Sequence, residues 1–360
     1  MQMQLGERLR LTLFGTSHGP RVGALLEGVP KGLRVDETAI AQAMATRRPG
    51  GRYASKRKEQ DCVEFLSGIV EGKTTGASIE LSIENQDAKS KDYNFLPHHP
   101  RPGHQDMVMH KRTKGEADLR GGGMSSARLT APIVAAAAFV APLLAPLGIK
   151  AEAQVGAIGN VEAGEMEHQP ARWSTDACKE MRCRDPDAAE AMVNLVESQR
   201  MNLNSIGSRV DLIVTGTPLG LGEPWFDGIE PAMARAMMSI PAARGVTFGR
   251  GFDVVNMTGL QHNDAWGGSP ESPTPLGERP DGVLAGLATS APIRCSVAFK
   301  PPSSIASEQK TLHLESGAIE PLTVKGRHDP VLGPRAVAVV EAMAILVLTD
   351  LALRGGFIDG

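Results

Sequence analysis

Residues 334–353 read PRAVAVVEAMAILVLTDLAL. Past its first turn this run is apolar nearly all round, interrupted only by Glu341, Thr349 and Asp350. A helix with no polar face must be covered on every side. In a water-soluble chain that places it at the centre, with other layers outside it.

The layers are written elsewhere in the sequence. Short β-like runs occur at 10–14, 78–83, 210–215, 252–257 and 293–299, each bounded by glycine, proline or polar residues. Helical patterns lie between them at 36–46, 125–140, 187–201 and 230–239. Strands and buried helices in this arrangement predict an α+β fold, a layered sandwich with central helices between antiparallel β-sheets. No repeat and no low-complexity linker divides the chain, so residues 1–360 are expected to form a single domain.

Composition narrows the function. Of 360 residues, 41% are hydrophobic and 22% charged, an ordinary globular balance. A net charge of −3 gives no broad attraction to nucleic acid or to an anionic membrane, so any positive site must be local. The uncharged stretch 131–149 is broken by Pro132, Pro142 and Pro146, which favours a buried helix over a membrane span. The amino terminus carries no apolar secretion signal, and the scattered Cys62, Cys178, Cys183 and Cys295 fit reduced thiols in a cytoplasm.

Chemistry concentrates in glycine-rich joints. Residues 120–128, RGGGMSSAR, offer three glycines for close backbone approach, serines to cap a helix, and flanking arginines. Such a joint is either an anion site or a plain capped loop; it is neither a Walker loop nor a dinucleotide fingerprint. Residues 47–52, RRPGGR, followed by Lys56, Arg57 and Lys58, form either a solvated basic loop or a shaped loop presenting guanidinium groups to a small polyanion. Aromatic interleaving there is limited to Tyr53, which speaks against a nucleic-acid arm.

Histidine clusters too. His98, His99, His104 and His110 lie close together, but the intervening prolines deny them a common helix face and their spacing fits no zinc pattern, so no metal is expected. Proton donation is the better use of imidazole. Residues 325–330, KGRHDP, again combine arginine, histidine and carboxylate, and residues 15–19, GTSHG, set a histidine between glycines just after a strand.

Taken together, these motifs resemble the chorismate synthase family. The similarity runs in order from about Leu9 to Arg354 through FGTSHG (14–19), RRPG (47–50), SGIVEGKTTG (67–76), RPGH (101–104), RGGGMSSAR (120–128), GLGEP (220–224), MSIPA (238–242), KPPSS (300–304) and GRHDP (326–330). The resemblance implies the last step of the shikimate pathway, the anti-1,4-elimination of phosphate from 5-enolpyruvylshikimate 3-phosphate. Reduced FMN assists, with no net redox change.

The resemblance also implies roles. His18 would protonate the departing phosphate, His104 would protonate reduced flavin near N1, and Asp329 would act near flavin N5. Met124, Ser125, Ser126, Pro241, Ala242, Ala285, Lys300, Pro301, Pro302, Ser303, Ser304 and Arg327 match flavin contacts. Arg47 and Arg52 match positions linked to NADPH, a candidate reductant, and Arg48 and Arg128 are assigned to the substrate phosphate and carboxylates. A homotetramer is implied, and a separate flavin reductase is a candidate partner; no nucleic acid or membrane partner is expected. The chain departs from the family at 278–286, where an Asn-His-Ala-Gly-Gly type sequence is absent, and at Asn204, where relatives often carry aspartate.

Overall fold

Alternating apolar residues build the first sheet. Strands β1 (Arg10–Gly15), β2 (Arg21–Glu27) and β3 (Ile79–Glu84) lie side by side, flanked by the short strands Gln4–Leu5 and Glu64–Phe65. Pairing is antiparallel, with Leu11 opposite Leu26 and Val22 opposite Ile83. This sheet belongs to a computed structural model that describes residues 3–48, 61–86, 90–169, 172–324 and 329–359.

The second sheet comes from the later part of the chain. Its strands β4 (Lys150–Ile158), β5 (Ser208–Thr215), β6 (Ala243–Phe248) and β7 (Ile293–Phe299) run in the order β6-β7-β5-β4, all antiparallel. Ile293, Cys295, Val297 and Phe299 alternate inward along β7, and Val297 sits opposite Val210. A period of two with one apolar face is what a half-covered sheet requires.

Helices fill the space between. The elements are α1 (Glu37–Arg47), α2 (Asp106–Arg112), α3 (Thr130–Val140), α4 (Pro186–Met201), α5 (Ile229–Ser239) and α6 (Gly333–Arg354). α3 packs on β2 and β3, α6 packs on β4 and β5, and the two helices pack on each other. The buried apolar side chains form one continuous cluster from Leu9 to Leu353. The expected sandwich is therefore observed, with α3 and α6 as its filling.

The three polar interruptions of α6 are each satisfied. Glu341 accepts hydrogen bonds from the Ala153 amide (2.8 Å) and from Arg172 (2.8 Å), while burial pushes its carboxyl above the usual range. Thr349 donates back to the Ile345 carbonyl at 2.7 Å. Asp350 accepts from the amides of Arg8 and Leu9, both at 2.7 Å, and so ties the amino-terminal segment to the carboxy-terminal helix. Buried polar groups survive only with such partners.

Two expectations are corrected. The strand expected at 252–257 is a 3-10 helix, Gly251–Asn256, because Phe252 and Val255 find no sheet face and stay exposed. The helix expected at 125–140 starts only at Thr130, since Gly121, Gly122 and Gly123 all take positive φ and Ser126 is extended. α6 is apolar and long enough to span a bilayer, as is the helical run Arg120–Leu147, and most of each is buried inside the protein.

Candidate active site

The Gly15–Gly19 turn leaves β1 and carries His18 onto the glycine-rich segment at 120–123. Ser17, fully buried, donates to the Arg120 carbonyl (3.1 Å), and its amide donates to the Gly123 carbonyl (3.1 Å). With its hydroxyl proton so used, Ser17 Oγ accepts from His18 Nδ1 at 2.9 Å. That arrangement favours the neutral ring with its proton on Nδ1 and Nε2 as the acceptor nitrogen. Tyr93 meets the ring edge-on, 5.1 Å between centroids.

Gly121 makes this approach feasible. A Cβ there would fall 2.4 Å from Ser17 Oγ and 2.6 Å from His18 Cε1, and its φ of +58° disfavours other residues.

His104 is held differently. Its Nδ1 lies 2.7 Å from Asp106 Oδ1, and Arg101 clasps the same carboxylate through Nε (2.7 Å) and Nη2 (2.8 Å). Arg101 also donates to Ser304 Oγ at 3.0 Å and lies over the Tyr93 ring. Burial opposes the charge on Asp106, but hydrogen bonds from Arg101 and His104 outweigh it and hold the carboxyl well below the usual carboxylate range. His104 is thus oriented by a partner held ionised through the neutral range.

Both histidines line one cavity of about 680 Å³, a size usual for a small-molecule site. Arg101, Arg244, Lys300 and Arg335 contribute cationic groups to its wall, beside apolar Ile240, Phe299 and Val339. Burial and then the Arg244 guanidinium hold the Lys300 ammonium below its ordinary value. Lys300 donates to Ser303 Oγ at 3.1 Å and to the Gly103 carbonyl, which joins the 300–304 segment to the His104 turn.

The other expected residues divide clearly. Ser125, Ser126, Pro241, Ala242, Pro302, Ser303, Ser304 and Asp329 line the cavity together with His18, His104 and Lys300. Asp329 is gripped by Arg335 Nη1 at 2.5 Å. Met124, Pro301, Arg48 and Ala285 are not among its lining residues; Ala285 instead forms the turn between the short paired strands Val283–Leu284 and Leu287–Ala288. Arg52 and Arg327 lie outside the described residues.

Arg47 and Arg128 line the cavity from beneath, and both are buried against Asp61. Arg47 also donates to Thr130 Oγ1 (3.0 Å) and the Ala127 carbonyl (3.0 Å), and Arg128 to Asn85 Oδ1 (2.8 Å) and the Glu84 carbonyl (3.0 Å). Each has a partner on all three guanidinium nitrogens, which suits a brace for the 127–130 segment. Asp61, Tyr93, Asp106, Arg244 and Arg335 were not singled out from sequence. Asp106 alone carried a local signal, two residues after His104 and at the start of α2.

A basic cavity of this size with two held imidazoles has the make-up of an enzyme site for a small polyanion. The chorismate synthase family profile matches residues 9–353. The curated chorismate synthase of Aeropyrum pernix is 46% identical over 353 residues, covering 97% of this chain and 92% of that protein. That of Methanosarcina mazei is 39% identical, covering 98% and 97%. A crystal structure of chorismate synthase superposes with a TM-score of 0.73 at 28% identity, covering 97% of this chain and 93% of that one.

The chain belongs to the chorismate synthase family. It is a lyase that eliminates phosphate from 5-enolpyruvylshikimate 3-phosphate to form chorismate.

Proposed function

We propose that the cavity holds reduced FMN beside 5-enolpyruvylshikimate 3-phosphate, with His18 and His104 as its proton-carrying groups. The observation that carries this reading is their convergence, from separate segments, on one cavity walled by arginines. Reduced FMN, when bound, supplies electron density for phosphate departure and recovers it with the leaving hydrogen, leaving no net redox change. The residues present fit such a group: apolar Ile240 and Val339 suit a ring system, and Arg101, Arg244 and Lys300 suit its anionic parts.

His18 works at the substrate. Ser17 keeps Nδ1 protonated, so Nε2 of the imidazolium delivers its proton to the departing phosphate oxygen. Cationic neighbours stabilise that oxygen as its charge develops. His104, braced by Asp106, would hold a proton towards a bound flavin, and Asp329, oriented by Arg335, would be the carboxylate placed to accept one.

Ser125, Ser126, Pro241, Ala242 and the 300–304 segment contact the flavin in this reading. NADPH is the candidate reductant; Arg52 could contact it, whereas the commitments of Arg47 to Asp61, Thr130 and Ala127 favour bracing. Residues 1–360 act as one unit, and the enzyme works as a cytoplasmic homotetramer. Exposed Trp225, Phe226, Phe252 and Leu260 offer apolar area for subunit contacts.

The test is anaerobic phosphate release from the substrate with and without dithionite-reduced FMN. Release that is equally fast without flavin, or with oxidised flavin under air, would overturn the reading.

A further inference from the structure

The chain has nine histidines, and three of them meet outside the active-site cavity. His98 and His99 come from the turn before Arg101. His313 follows the strand β8 (Gln309–Leu312), which pairs with β9 (Ile319–Leu322) in a hairpin. Glu315 and Glu320, from the same hairpin, face them.

The geometry is tight. His99 Nε2 lies 2.8 Å from Glu320 Oε2, His313 Nδ1 lies 3.9 Å from Glu320 Oε1, and His98 Nδ1 lies 3.2 Å from Glu315 Oε1. The His99 and His313 rings are 4.7 Å apart between centroids. Two overlapping triads result, His99-His313-Glu320 and His98-His313-Glu315, each with donor atoms within 4.8 Å of one another. His99 and His313 are about four-fifths covered, with side-chain exposures of 23% and 20%.

The backbone fixes both sides. The Leu314 amide donates to the His98 carbonyl (2.9 Å), Thr311 Oγ1 donates to the Pro100 carbonyl (2.5 Å), and the His313 amide donates to Ala318 (2.8 Å). The ligand atoms are therefore presented by a held framework, not by wandering side chains.

We propose that this cluster is a binding site for a borderline divalent transition metal of the zinc type, with His99, His313 and Glu320 as its ligands and with His98 and Glu315 forming the overlapping triad around the shared His313. Neutral imidazoles with carboxylates select such ions over magnesium or calcium, which prefer all-oxygen shells. The two carboxylates balance the ion's double charge. The chemical consequence is a cross-link between the turn leading to Arg101 and His104 and the hairpin leading to Asp329. The prolines and spacing around His98 speak against metal in the local sequence; His313, Glu315 and Glu320 come from the far hairpin.

The test uses the full chain, stripped with a chelator and dialysed, and titrated calorimetrically with zinc chloride at pH 7.5. One zinc ion per chain is expected, undisturbed by excess magnesium, with a rise in melting temperature. His99→Ala and His313→Gln should each weaken binding by at least about 10-fold and shrink the thermal shift, with unchanged circular dichroism showing that they fold. His168→Ala, at a distant exposed histidine, should bind as wild type. No saturable zinc binding, or binding equal in wild type and both ligand variants, would overturn the site and leave His99–Glu320 an ordinary ion pair.

Discussion

Asp106 Oδ1 sits 2.7 Å from His104 Nδ1 while Arg101 holds both oxygens of the same carboxylate. The imidazole is oriented by an anion that is itself oriented. Asp106→Asn keeps the shape and removes the charge, so turnover should fall by up to ~10²-fold of the ~10²–10⁴ that a placed acid is worth. Steady-state kcat, measured with melting temperature, checks this; full turnover in a folded variant would remove Asp106 from the mechanism.

The same carboxyl ties stability to pH. Its folded value lies well below the ordinary 3.8, so on acidification the unfolded chain takes up the proton first. The stability it contributes is present above about pH 3.8 and is lost as pH falls from there toward the folded value. Urea midpoints should drop with acid below that point in the wild type, and less steeply in Asp106→Asn.

Asp61 stands between Arg47 and Arg128, all three nearly inaccessible to solvent. Removing one member of a buried ionic set leaves uncompensated charge and costs about 3–5 kcal/mol. Asp61→Ala should lose stability of that order in urea denaturation. A loss below ~1 kcal/mol, typical of a surface pair, would contradict the burial.

His18→Ala and His104→Ala should each slow turnover on the order of 10²–10⁴-fold while FMN still binds. Gly121→Ala tests the same site through the cavity wall, because its new methyl meets Ser17 and the His18 ring at a positive φ. A destabilisation of about 1–3 kcal/mol is expected, together with reduced kcat. Unaltered kcat in Gly121→Ala would show that the contact is not needed.

Cysteine reactivity offers a check on the core. Cys62 is exposed, whereas Cys178, Cys183 and Cys295 are buried, and burial pushes the thiols of Cys183 and Cys295 up to about 12. Native protein should react rapidly with a thiol reagent at Cys62 and at the other three only after unfolding. Fast modification of Cys295 in folded protein would be inconsistent with its place in β7.

Much of this architecture was legible in the sequence. The apolar wrap of α6 announced a central helix, and the period of two along β7 announced a strand whose observed bounds match the expected 293–299. Local pattern failed where conformation is set by glycine or by distant packing, as at 121–123 and 251–256. Within the site, His18 and His104 could be singled out because their glycine-flanked settings are local. Arg244, Arg335 and Asp61 could not, since nothing near them in the chain distinguishes a cavity-wall charge from a surface one. The setting of Arg128 has the same origin: its charge is visible in sequence, but the Asp61 carboxylate paired with it at the cavity lies far away in the chain.

The Asp350 clasp on the amides of Arg8 and Leu9 sets a condition on biosynthesis. Without α6, the amides of Arg8 and Leu9 lack the Asp350 carboxylate and the alanine-rich α3 lacks a neighbour on one flank. A chain cut short before Asp350 should therefore expose apolar surface, engage chaperones and lack activity.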